Sequence, residues 1–216
     1  MNAVLNNLEP LPATLNAPAQ EPGRRRHIGD YLLDSARLEC FNQLLTQLDQ
    51  QRQALDPDQI ASAARQLVDR PGPGNMPSCI QQRMRRAAAI DLMSVDQGWT
   101  PANDAIGPAG LVIDYVRSSY KLIPDALPQI GRLDDAIVID AAWPLLVEEV
   151  RCYLDYCRVR QIEAALRNCR SQEFGFGRED WELARRAEVA WINHCRAVGT
   201  RSYLSAGSSA SNFRVH

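Results

Sequence analysis

Four aspartates, Asp125, Asp134, Asp135 and Asp140, fall within sixteen residues of one another. Hard carboxylate oxygens gathered at that density are what a Mg²⁺ or Ca²⁺ site uses, and with a bound ion they would support divalent-metal-dependent catalysis. The spacing argues against convergence. No Asp-x-Asp-x-Asp-Gly loop occurs, no histidine lies in the segment, and Asp135 and Asp140, five apart on one helix, stand about 140° apart around it. The other reading makes the same residues structural, with Asp134 or Asp135 opening a helix and accepting its free N–H groups. No catalytic residue and no cofactor are assigned.

Other apparent motifs weaken in the same way. His194-Cys195 are helical neighbours pointing about 100° apart, so they cannot form the hydrogen bond of a nucleophilic dyad, and Cys195 is expected in the core. Phe174-Gly175-Phe176-Gly177 follows a helix rather than a strand and lacks a third glycine, so it reads as a helix stop and not a phosphate loop. Cys152, Tyr153, Tyr156 and Cys157 form one turn of either core or docking face. Trp143, Trp181 and Trp191 are expected inside. The six cysteines contain no Cys-x-x-Cys and no zinc-site spacing, and the first residues lack the basic and apolar regions of a secretory signal. Reduced thiols and a cytoplasmic location follow as expectations.

The elements that must position the aspartates read as helices. Leu38, Phe41, Leu45, Leu48 and Leu55 recur at helical spacing, with Arg52 the polar break. Asp56-Pro57-Asp58-Gln59 carries an N-cap, a proline at the first helical position and a capping-box glutamine. Ile60, Ala63, Ala64, Leu67 and Val68 give that helix its apolar face, and Pro71-Gly72-Pro73-Gly74 ends it. A helix follows over 78–95 with Ile80, Met84, Ala88 and Leu92 on one row. Residues 97–110 read as a loop, 111–120 as a short helix, and 134–168 as a long one that Pro144 should bend. The last helix spans 179–197 with Trp181, Ala184, Ala187, Trp191 and Cys195 inward. No alternating strand is evident. The class is all-α, an irregular bundle of six or seven helices with a proline-interrupted helical hairpin. Residues 1–27 are expected as a disordered arm, 28–198 as one helical domain and 199–216 as a flexible Ser-rich tail.

Between the two helices of that hairpin the chain reads Leu122-Ile123-Pro124-Asp125, then Pro128, Gly131, Leu133, Asp134 and Asp135. Pro124 and Pro128 fix φ and force the chain out of the helix, Gly131 permits a positive φ, and the aspartates cap. The pattern resembles the YkvA-like family, a small bacterial domain without an agreed activity, over about residues 105–150. Ser119 and Lys121 stand where that family has proline and aspartate. The resemblance implies an apolar helix, a sharp proline turn and a second apolar helix, with membrane association in many members. Asp114, Arg117 and Asp140 in the flanking helices argue against insertion here.

Charge is unevenly laid out. The net charge is −2, but residues 91–150 alone carry −7, between near-neutral and basic flanks. Of the 24 basic residues, Lys121 alone is lysine. Codon bias explains the arginines. Selection for bidentate contacts is the alternative, with Arg24-Arg25-Arg26, Arg83/Arg85/Arg86 and Arg185-Arg186 as candidates for a membrane surface or nucleic acid. Aromatic residues are not interleaved with them, so a nucleic-acid footprint is not supported. Peripheral membrane contact stays open, and no apolar run reaches the ~20 residues of a spanning helix. The expectation is a non-enzymatic interaction or adaptor protein with a protein partner. A divalent-metal-dependent enzyme is the first alternative and an arginine-mediated surface binder the second.

Overall fold

Local signals set the helix boundaries. In the computed structural model, which describes residues 4–5, 8–17, 25–69, 76–171 and 173–201 (side chains to 198), Asp34 caps α1, Ser35–Leu48, by accepting the Arg37 N–H. Asp56 and Gln59 form a reciprocal capping box on α2, Pro57–Val68. The remaining helices are α3, Ser78–Val95; α4, Asn103–Arg117; α5, Leu133–Leu166; and α6, Arg178–Arg201. The class is all-α. Among the described residues no helix is long and apolar enough to cross a membrane.

The chain divides into two compact units, Met1–Arg158 and Val159–His216, where one domain over 28–198 was expected. In the first unit Phe41, Leu45, Ile60, Leu67, Ile80, Ile90, Ile123, Leu133 and Ile137 are buried, so the core joins α1, α2, α3 and the start of α5. Trp99, expected in a loop, is also buried. It lies 5.0 Å from the Tyr156 ring and 5.8 Å from Tyr153 and donates to Glu149 Oε1 at 3.0 Å. The Tyr153–Tyr156 turn is therefore core, with Cys152 and Cys157 half-buried.

Several expectations are corrected. Residues 8–17 of the supposed arm are placed: Ala13–Asn16 form a 3₁₀ turn against α2, with Leu15 buried. Their isolated apolar side chains carry no periodicity to read. His27–Ile28 (β1) and Tyr31–Leu32 (β2) pair antiparallel through Gly29, whose φ of +59° opens a two-residue reversal. Two-residue strands are too short to alternate. The α1 seam stops at Leu48, and Leu55 is buried from a loop, exchanging hydrogen bonds with the Asn42 amide.

Gly107, Pro108 and Gly110 lie inside α4 rather than in a loop. Burial of Ala105, Ala109 and Val112 outweighs the poor helix propensity of those residues. Of the row expected on α3 only Ile80 is buried, and Leu92 is 59% exposed. That helix turns Arg83 and Arg86 inward, which no hydrophobic periodicity reveals.

α5 continues through Pro144. In the second unit α6 runs to Arg201, past the expected start of the tail, and Trp191 and Cys195 are exposed. At 1.5 Å per residue a 24-residue helix is about 36 Å long. Within its unit the other helical stretch, 159–166, is a third of that, too short to cover it. Positions 1–3, 6–7, 18–24, 70–75, 172 and 202–216 lie outside the described residues, and with them the expected helix stop at Pro71-Gly72-Pro73-Gly74.

Candidate functional site

The proline segment connects α4 to α5 through a turn whose backbone is packed to contact. A Cβ on Gly131 would lie 2.4 Å from the Asp125 carbonyl oxygen and 2.8 Å from that of Leu127. Glycine is required there by space. The positive φ expected of it belongs instead to Gln129, at +67°. Pro124 O accepts the Leu127 N–H and Pro128 O the Ile130 N–H, so both prolines serve as acceptors within the reversal.

Asp134 ties the turn to both helices. Its Oδ2 accepts the Tyr115 hydroxyl of α4 at 2.7 Å and the Ile123 N–H at 3.0 Å, and its Oδ1 accepts the Asp135 N–H at 3.0 Å. Tyr115 in turn accepts the Leu122 N–H. The aspartate thus caps the turn more than its own helix. Burial pushes the Asp134 carboxyl above the usual carboxylate range, against the pull of those hydrogen bonds, and burial and the Asp134 charge push the Tyr115 phenol up.

Lys121 joins the other two aspartates. Its ammonium lies 2.9 Å from Asp125 Oδ1 and 2.9 Å from Asp135 Oδ2, and it is 4% exposed. Arg132 closes the set, 3.0 Å from Asp125 Oδ2 and 3.4 Å from Asp135 Oδ2. Burial first, and then the neighbouring Asp134 charge, raise Asp135 to about 7. Its Oδ1 is buried without a hydrogen-bond partner. The Lys121 carbonyl accepts from Arg37 and the Leu122 carbonyl from the Tyr31 hydroxyl, so α1 and β2 brace the same turn.

The candidate ligands therefore part company. Asp125 and Asp135 meet on a protein ammonium, Asp134 holds N–H and O–H donors, and Asp140 pairs with Arg83 Nη2 at 2.7 Å. Among the described residues no group of three or more His, Cys, Asp or Glu side chains is arranged to hold a metal ion. What the cluster does chemically is neutralise itself and hold a helical hairpin shut. Asp134 and Asp135 have no exposed surface, leaving Asp125 and Arg132 as the members that face water.

Sequence reasoning missed Lys121, Tyr115, Tyr31, Arg37 and Arg132. One signal was available: in a chain of arginines, the lone lysine marks a place where a compact ammonium is needed.

The arginine candidates do not form one patch. Arg24 lies outside the described residues. Arg25 reaches Ser62 and Asp58, Arg83 and Arg86 are buried, and Arg85 is exposed. Arg86 stacks on the half-buried Trp143, 3.7 Å from the ring centroid. On α6, Arg185 pairs with Glu188 and Arg186 donates to the Glu182 carbonyl.

Beside the hairpin, an open groove of about 410 Å³ runs between α3 and α4. Met84, Ala88, Val112, Ile113 and Val116 line it, and Asp91, Arg117 and Arg132 stand at its rim. No protein-family model, curated protein or solved structure matches this chain.

Proposed function

We propose that the chain is a non-enzymatic interaction protein of the cytoplasm, an adaptor whose docking surface is the α3–α4 groove and whose rigid base resembles the YkvA-like hairpin. The observation that carries the reading is the groove: an open apolar trough along two rows of side chains, on a base locked by Lys121, Asp125 and Asp135. Methionines such as Met76 and Met84 suit it to a partner's side chains, because unbranched thioethers repack around different shapes. At the rim Arg117 pairs with Asp91 and Arg132 is engaged by Asp125 and Asp135, so the trough's apolar lining is its main attraction. The occupant is accordingly an amphipathic helix of another protein, its apolar face in the trough. The buried aspartates supply rigidity in this reading and take no part in a reaction.

A photo-crosslinking side chain at exposed Ala88 tests it. The expected result is one specific protein adduct, not formed from the same group at Arg151 and lost with Met84→Asp while the thermal melt is unchanged. Equal adducts from Ala88 and Arg151 would sink the groove. Turnover of a phosphoester with Mg²⁺ or Mn²⁺, abolished by Asp135→Asn, would sink the non-enzymatic reading.

A further inference from the structure

The opposite side of α3 already holds a peptide. Ser78, Gln82 and Arg86 form a row at i, i+4 and i+8, about 200° around the helix from the Met84–Ala88 row of the groove. Residues from the N-terminal segment lie against the first row. Gln82 Oε1 accepts the Glu9 N–H at 2.8 Å, Arg83 Nη1 donates to the Glu9 carbonyl at 2.9 Å, and Arg86 Nε donates to the Val4 carbonyl at 3.1 Å. Gln59 of α2 donates to the Ala17 carbonyl at 2.6 Å. The Ser78 hydroxyl donates to the Glu9 carboxylate, and Leu15, 5% exposed, is seated on α2.

Four of these five hydrogen bonds engage the segment's main chain. Such contacts do not read side chains, so any chain following the same path would satisfy them. Selectivity rests on the carboxylate at Glu9 and on the two buried side chains, Pro12 and Leu15. Two buried arginines form the receiving surface: Arg83, which also pairs with Asp140, and Arg86, which burial lowers to about 10, and both donate to the segment's carbonyl oxygens. Carbonyl and carboxylate oxygens are what such a surface attracts. Few apolar side chains anchor the segment, which places it at the low-stability end of the unit, where local opening precedes global unfolding.

We propose that this α2–α3 face is a peptide-binding surface with residues 8–17 as its resident ligand. It fits an acidic segment of a partner, with a carboxylate six residues before a large apolar side chain carried on a helical turn, that takes the strap's place. The proposal rests on the reading of the chain as an interaction protein but uses a different surface from the α3–α4 groove.

Fluorescence anisotropy with a labelled synthetic peptide of residues 4–17 tests it on the full chain. A chain carrying Glu9→Lys and Leu15→Asp should bind the peptide about tenfold or more tightly than the intact chain, whose own strap competes at high effective concentration. Adding Ser78→Ala and Gln82→Ala should weaken that binding, whereas Met84→Asp, in the groove, should leave it unchanged. Equal or absent binding by a strap variant with an intact melt overturns the proposal, and so does a strap variant that loses its helical circular dichroism, since the segment would then be part of the core. Hydrogen exchange on the unmodified chain tests the same point independently. Amides of 8–17 should exchange ahead of those of α3; exchange only at the global unfolding rate overturns the proposal.

Discussion

Lys121 and Asp135 form a buried ion pair, Nζ to Oδ2 2.9 Å, with side-chain exposures of 5% and 0%. The pair spans the turn between α4 and α5, and Asp125, 2.9 Å from the same ammonium and 41% exposed, carries it to the surface. Two carboxylates on one lysine leave the local charge negative, and Arg132 offsets it.

Removing the lysine should therefore destabilise the turn. Lys121→Met removes the ammonium that holds the Asp135 carboxyl down, so a group already at about 7 rises further and is buried as the uncharged acid. The lost charge-assisted hydrogen bonds should cost about 1.5–3 kcal/mol in urea unfolding at neutral pH. Lys121→Met with Asp135→Leu should recover much of it. Equal losses in the single and double variants would show that packing, and not charge, dominates there.

The acid response follows from the raised carboxyl of Asp135. Its folded value of about 7 exceeds its ordinary 3.8, so between those values the native state binds more protons than the unfolded chain. Stability from this group is fully present below about 4 and lost as pH rises through about 7. Melting temperature should therefore rise from pH 8 to pH 5 by more in the wild type than in Asp135→Asn. Parallel profiles would refute the assignment.

Two substitutions in the turn should act in opposite directions. Gly131→Ala drives a methyl group into the Asp125 and Leu127 carbonyls, and a loss of about 3 kcal/mol is expected. Gln129→Gly relieves a left-handed residue and should stabilise by about 1 kcal/mol. Chemical denaturation of both measures the sign directly.

Tyr115→Phe deletes the hydroxyl that donates to Asp134 and accepts from Leu122. A loss of about 2 kcal/mol is expected, because both partners are left buried. The far-ultraviolet circular dichroism should be unchanged, since the helices themselves do not depend on it. An unaltered unfolding midpoint would mean that water replaces the hydroxyl.

Much of the architecture was written in local chemistry. The capping box at Asp56–Gln59 and the α3 boundaries could be read directly, because caps and helical periodicity involve residues within one or two turns. Pro124, Pro128 and Asp134 likewise announced a reversal between two helices. What only the tertiary structure decided is where the charges go. Lys121 and Arg37 are 84 residues apart and Arg83 and Asp140 57 apart, and no spacing rule links either the Lys121 carbonyl to its guanidinium or Asp140 to its arginine. Trp99 and Leu15 are buried from outside the α-helices for the same reason: their partners come from distant chain. Apolar periodicity selects a buried face only when that face is apolar, so a helix that turns Arg83 and Arg86 inward is misread until the carboxylate, carbonyl and indole that receive them are in place.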